Sequence, residues 1–268
     1  MIRSDSRIPV LMYHEVSVSD ESEKPIRRVH PGYFISVEQF EKQMEFLSNH
    51  NYRSLSLKSL FNDEFPAEKR VVITFDDGFI GNFQYAYPIL KKYGLTATIF
   101  VVVNQISAAN YLNWDQLLEL NRNGISIQSH TMTHRPLQDL SVEEVFQELS
   151  SSKRIIQEKL GQEVNFLSLP HGSSHPQLFR IARELGYSGI CSSKFGFVNP
   201  ARIQFTVGRI PVKSSNQLKE FHKLISKNKL SILKYRLFLL LTNSISNILG
   251  LKNYARIYRL IFRIKPEC

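Results

Sequence analysis

Two aspartates stand side by side at Asp76 and Asp77, directly after the apolar run Val71–Phe75 and before Gly78. His130 and His134 follow the run Ile125–Ser129 in the stretch "SHTMTH". His14 follows Ile8–Tyr13, and Pro170-His171-Gly172 follows Asn165–Leu169. Adjacent carboxylates repel, and the end of an apolar strand solvates them poorly, so the pair needs a reason. Taken singly, Asp-Asp-Gly reads as a turn and a spaced His pair as surface or capping chemistry. Taken together, two neutral imidazoles and one carboxylate are three ligands for Zn²⁺ or a similar ion, with one position left for water. The cation offsets the repulsion between the aspartates. One carboxylate then binds it, and the other stays beside the water as a general base.

These residues must be positioned by the elements that precede them. Strand candidates are Ile8–Tyr13, Tyr52–Leu55, Val71–Phe75, Thr96–Val103, Ile125–Ser129, Asn165–Leu169, Ser188–Ser192 and Phe205–Pro211. Several are unbroken Val, Ile, Leu and Phe runs, the pattern of strands buried on both faces. Helix candidates alternate with them: Val37–Ser48, Tyr85–Tyr93, Trp114–Asn123, Val142–Leu160, Pro176–Leu185 and Ser215–Ser226. Ser36-Val-Glu-Gln39 and Ser141-Val-Glu-Glu144 read as capping boxes. Gly94, Gly124, Gly161 and Gly186 each follow a helical pattern, where a left-handed residue closes the helix. Repeated strand–helix units imply an α/β fold with a parallel sheet, either a barrel or a doubly wound sheet. Both collect functional residues at the C-terminal strand ends, which is where the polar clusters fall.

The chain has 268 residues, enough for one large domain or a domain with an appendage. Its net charge of +10 is uneven: residues 213–268 hold 12 Lys and Arg against Glu220 and Glu267, leaving the preceding residues neutral. Two cysteines, Cys191 and Cys268, make no disulfide framework and suit a reducing compartment. The N-terminal apolar run is too short for a signal-peptide core, and no stretch is long and apolar enough to span a bilayer.

With these motifs the chain resembles the polysaccharide deacetylases, the NodB-homology group of carbohydrate esterases. The stretch "TFDDG" (Thr74–Gly78) looks like their first motif, "HTMTH" (His130–His134) their second, and "LPHG" (Leu169–Gly172) their third. The opening "PVLMYHEV" and the segment around "FISVEQFEKQMEFL" resemble the branch that de-N-acetylates exopolysaccharides. The resemblance covers roughly residues 8–212.

It implies a distorted (β/α)7-type barrel over residues 1–212 and metal-dependent removal of N-acetyl, or another N-acyl, groups from amino sugars. By position, Asp77, His130 and His134 would bind the metal, most simply zinc, and Asp76 would be the base. The backbone N–H of His171 would help form an oxyanion hole, and His14 would protonate the departing amine. The family's motif-three arginine, which holds the catalytic aspartate, is replaced here by Ser168, and Arg209 in "VGRIPV" is a candidate substitute. The expected partner is an N-acetylated glycan. The alternatives are a catalytically silent carbohydrate-binding relative and an amidase acting on a non-sugar substrate. Trp114 reads as a core or helix-start residue, with sugar stacking as the other reading. His30 falls in the polar 17–34 stretch.

The basic segment 213–268 reads as a mostly helical extension. Across residues 228–265, apolar and basic side chains segregate onto different helical faces, as in Ile257, Leu260, Ile261 and Ile264 against Arg256, Arg259 and Arg263. Two readings compete: helices folded back onto the barrel, or an attachment to an anionic membrane surface. No recognition motif points to nucleic acid. The expected location is cytoplasmic, with peripheral attachment at the inner face of the cytoplasmic membrane.

Overall fold

A computed structural model describes residues 7–18, 33–61, 69–214 and 217–237. In chain order these form β1 (Ile8–Tyr13), β2 (Glu15–Ser17), β3 (Phe34–Ser36), α1 (Val37–Asn49), β4 (Tyr52–Leu55), α2 (Leu57–Phe61) and β5 (Lys69–Phe75). A π-helical turn, Asn82–Ala86, leads into α3 (Tyr87–Lys92), then β6 (Thr98–Val101), α4 (Trp114–Arg122), β7 (Ser126–Ser129) and α5 (Val142–Leu160). β8 (Phe166–Ser168), α6 (Leu178–Glu184), β9 (Gly189–Phe195), β10 (Phe197–Val198), β11 (Thr206–Pro211) and α7 (Leu218–Ile225) complete the order. Residues 229–237 are helical.

Strand pairing decides between barrel and open sheet. β1 pairs in parallel with β5 along one edge (Val10↔Val72 to Tyr13↔Phe75) and with β11 along the other (Leu11↔Ile210, Met12↔Pro211). A continuous parallel ladder β11–β9–β8–β7–β6–β5 joins those two neighbours. Seven parallel strands therefore close on themselves as a distorted (β/α)7 barrel with helices around it. The distortion has named sources. β4 pairs with Lys69–Val72 of β5 and β1 with Val72–Phe75, so β4 and β1 meet at Val72. The two-residue β10 pairs antiparallel with Ile8 and Pro9.

The alternation of the strands splits the core in two. Val10, Val72, Phe100, Phe166, Cys191 and Val207 pack into one buried cluster. Leu11, Tyr13, Ile73, Phe75, Ile127, Ile190 and Ile210 join the larger cluster that the helices cover. That larger cluster includes Phe221, Leu224, Ile225 and Tyr235, so the core runs past residue 212 into the basic segment.

Local punctuation follows the sequence with two corrections. Ser141 and Glu144 form a full capping box at α5. At α1, Ser36 accepts from the Gln39 N–H, but the Gln39 side chain donates instead to the Ser214 carbonyl at 3.4 Å, so only half a box exists. A box at Asn113–Gln116 opens α4, and Trp114 is its half-buried first residue, packed on the core. The parallel pair β2–β3 was not expected, because three-residue strands fall below any periodicity window. His30 and residues 238–268, including Arg256, Arg259 and Arg263, lie outside the described residues.

Gly81 packs against the backbone of β2: a Cβ there would lie 2.0 Å from the Val16 carbonyl oxygen. Its φ of −62° needs no glycine, so close approach alone excludes a side chain. Gly81→Ala is expected to destabilise the fold by about 1–3 kcal/mol, the usual cost of overpacking, read as a fall in the urea midpoint.

Candidate active site

The C-terminal ends of β1, β5, β7, β8 and β11 converge on one rim. The Tyr13↔Phe75 register sets His14 beside Asp76, and the Asp76 N–H donates to the Tyr13 carbonyl at 3.0 Å. Past β5 the chain turns sharply: Asp77 has φ 73° and Gly78 φ 77°. This turn sends the neighbouring aspartates in different directions.

Asp76 points into the barrel, 2% exposed, and meets Arg209, which is 0% exposed. All five guanidinium N–H groups have acceptors. Nη1 donates to Asp76 Oδ1 at 2.7 Å and Thr74 Oγ1 at 3.2 Å. Nη2 donates to Asp76 Oδ2 at 2.7 Å and Ser168 Oγ at 2.9 Å, and Nε to the Ser192 carbonyl at 3.2 Å. Ser168 in turn donates to Asp76 Oδ2 at 3.1 Å. Burial pushes the Asp76 carboxyl up, but the Arg209 charge and then His130 outweigh it and hold the group below its ordinary value. Arg209 thus reaches Asp76 from β11, while Ser168 on β8 bridges the two.

Asp77 meets the histidines. Its Oδ1 lies 3.3 Å from His130 Nε2 and 3.2 Å from His134 Nε2, and the three ligand atoms fall within 4.8 Å of one another. Ligands at 2.0–2.2 Å around a tetrahedral ion would sit about 3.3 Å apart. His130 Nδ1 is 2.9 Å from the Ser168 carbonyl, a contact that makes Nδ1 the protonated nitrogen and turns the Nε2 lone pair toward Asp77. A lone pair facing a carboxylate is favourable only with positive charge between them. Burial depresses His130, yet Asp76 and Asp77 outweigh it and raise its proton affinity. Burial likewise opposes charge on Asp77, and the two histidine rings hold it well below the usual range. The cluster therefore fits a divalent cation.

The segment carrying the histidines is strained and braced. Thr131 (φ 67°) and His134 (φ 64°) are left-handed, uncommon for any side chain and costly for a β-branched one. Ser129 Oγ accepts from the Thr131 N–H at 3.1 Å, and Thr131 Oγ1 from the His134 N–H at 3.2 Å. Glu148, buried on α5, accepts from the Met132 and Thr133 N–H groups at 2.9 Å each and from the Thr133 hydroxyl. Glu148 escaped the sequence reading. Its signal is a charged residue on the helical face that otherwise carries Val145, Leu149, Ser152 and Ile156.

His171 is left-handed too (φ 54°) and exposed, its ring 4.7 Å from that of His134. Although the residue is exposed, partial burial of its imidazole, then His134 and His130, push its proton affinity down. His14 lies against Tyr33, ring centroids 4.4 Å apart, and its buried Nδ1 has no hydrogen-bond partner among the described residues. Burial lowers its proton affinity, opposed by Asp77 and Asp76. Behind Tyr33, Lys213 Nζ sits 5.4 Å from the ring centroid, and burial pulls this lysine down to about 8. Tyr33 and Lys213 carry no motif and were not foreseen.

A parallel barrel thus carries a fixed carboxylate beside an Asp-His-His cluster that could hold a metal ion. Comparison with known proteins gives the class. The polysaccharide deacetylase family profile matches residues 64–190. The Bacillus subtilis protein YxkH, described as a polysaccharide deacetylase, is 32% identical over 211 residues, 77% of this chain and 72% of that one. A poly-β-1,6-N-acetyl-D-glucosamine N-deacetylase of Staphylococcus aureus is 26% identical over 62% of this chain and 61% of its own length. Among solved structures, the Streptococcus pyogenes deacetylase PplD superposes with a TM-score of 0.73 at 28% identity, covering 82% of this chain and 96% of that one. The chain belongs to the polysaccharide deacetylase family.

Two outcomes follow from the bracing. Arg209→Met leaves Asp76 buried without its partner and is expected to cost about 3–5 kcal/mol in chemical denaturation, with most of that recovered in Arg209→Met/Asp76→Asn. Glu148→Gln weakens the hold on the His130–His134 segment and is expected to lower divalent-metal affinity roughly 10–100-fold, measured by competition with a chromophoric chelator.

Proposed function

We propose that this protein is a divalent-metal-dependent N-deacetylase acting on N-acetylated amino sugars of a poly- or oligosaccharide. One observation carries the reading. Asp76 is held ionised by Arg209 and Ser168, directly beside an Asp-His-His cluster whose ligand atoms have metal-site spacing. The N-acetylglucosamine polymer named for the staphylococcal relative supports an N-acetylated glycan as substrate.

Asp77, His130 and His134 would hold the ion, and two nitrogens with one oxygen suit zinc. When bound, the ion supplies Lewis-acid polarisation of the acyl group and lowers the pKa of water. Asp76 acts as general base on the attacking water. Its Oδ2 is occupied by Arg209 and Ser168, whereas Oδ1 accepts a single bond and has a lone pair to spare. Arg209 fixes the plane of that carboxylate. The His171 backbone N–H donates to the oxygen on which negative charge develops. His14 gives a proton to the departing nitrogen. Its burial makes that proton easy to release, while Asp76 and Asp77 help load it.

The test is acetate release from metal-reconstituted protein on N-acetylglucosamine oligomers. Asp76→Asn is expected to lower turnover by roughly three orders of magnitude or more with metal content unchanged, and near-wild-type turnover would overturn the assignment. His14→Ala is expected to lose amide hydrolysis while keeping hydrolysis of an aryl acetate, whose leaving group needs no proton. Equal loss on both substrates removes His14 from the acid role.

A further inference from the structure

Helix 229–237 is bound to the barrel on one face only. Tyr235 is buried and donates its hydroxyl to the Pro211 carbonyl at the end of β11. Its ring lies 5.7 Å from Phe195, the last residue of β9, and Arg236 sits 5.3 Å over the same ring. The helix is therefore attached at C-terminal strand ends, the end of the barrel that carries the site.

The opposite face is open. Leu230, Leu233 and Leu237 are 61%, 55% and 52% exposed, the three most exposed large hydrophobics among the described residues. At 100° per residue they fall within an arc of about 60°, and Tyr235 lies nearly opposite. Lys234 borders the stripe on one side and Lys229 on the other, both exposed, while Arg236 lies between Lys229 and the barrel contact. No acidic residue occurs between Glu220 and Glu267.

We infer that this face is a docking surface for an anionic lipid interface, with the three leucines entering the acyl boundary and the flanking cations meeting lipid headgroups. Charge complementarity selects that occupant. The chain that follows, residues 238–268, carries five bases against one acid, and a second copy carries +10. Either would bring positive charge onto a stripe bordered by cations, whereas an anionic bilayer supplies both apolar depth and negative charge. Docking stands on the helix alone. Its consequence, that the glycan is met at a membrane surface, rests on the deacetylase reading.

The experiment is co-sedimentation of the full chain with phosphatidylcholine vesicles and with vesicles containing about one-third phosphatidylglycerol, at low and high salt. Wild type is expected to bind only the anionic vesicles and to be released by salt. Leu230→Ser/Leu233→Ser/Leu237→Ser is expected to bind at least tenfold more weakly, and Lys229→Gln/Lys234→Gln likewise with a flatter salt dependence. Unchanged acetate release from soluble oligomer, or an unchanged thermal midpoint if no release occurs, shows that each variant is folded. Wild-type affinity in both variants, or no vesicle binding by wild type, overturns the proposal. So does self-association that the leucine variant abolishes without any vesicle binding. Because the vesicle assay needs no turnover, loss of docking and loss of the deacetylase reading are separate results.

Discussion

Among the described residues one guanidinium is buried, that of Arg209, and much of the site depends on how it is satisfied. A buried cation is costly unless paired and fully hydrogen-bonded. Arg209 meets that condition with acceptors from four residues on three strands: the Asp76 carboxylate just past β5, Thr74 on β5, Ser168 on β8 and the Ser192 carbonyl on β9. Arg209 itself comes from β11. The pair therefore exists only if β11 closes against β1 and β1 against β5. Closure and catalytic geometry are one constraint, and a barrel that opened would strand both charges in an apolar interior.

That constraint separates two aspartates of identical chemistry. Asp76, directly after β5, faces inward to Arg209, while the left-handed Asp77 turns to the histidines. Four of the left-handed side-chain residues, Asp77, Thr131, His134 and His171, lie at this rim. Strain of that kind persists only where the surroundings over-determine it. Here the surroundings are visible: Glu148, Ser129 and Thr131 bond the backbone amides of the His130–His134 segment, and the Ser168 carbonyl sets the His130 ring. Ser168 thus serves both halves, through its carbonyl to the metal side and its hydroxyl to Asp76.

Much of this was legible from sequence where a short-range rule applies. The apolar runs place the barrel strands, α5 matches its expected limits of Val142–Leu160, and the glycines at 94, 124, 161 and 186 are all left-handed. The cluster of Asp77, His130 and His134 was legible because one aspartate and two histidines, at the ends of two strands, share one chemistry. What was illegible depends on contacts far apart in the chain. Arg209 and Asp76 are 133 residues apart, and nothing local to "VGRIPV" says which way its arginine turns. Tyr33 and Lys213 are invisible for the same reason: neither belongs to a periodic pattern, and they meet near His14 only when β2 pairs with β3 and β1 with β11.

The charge step at residue 212 shows how composition and packing can disagree. By charge, the chain changes character there, from a neutral body to a segment of +10. By packing it does not, because Phe221, Leu224, Ile225 and Tyr235 enter the same core as Leu47, Ile73 and Ile210. No helix lies between β9 and β11, where only β10 and a short turn intervene, so the outer layer would be thin at that seam. Tyr235 reaches the ends of exactly those two strands. Residues 217–237 of the basic segment are thus part of the barrel's outer layer on their inner face, and Leu230, Leu233, Leu237, Lys229 and Lys234 are exposed on the other. A helix that must complete a core and also carry unmatched positive charge has one side constrained by folding, and its opposite side is free to be shaped by a partner.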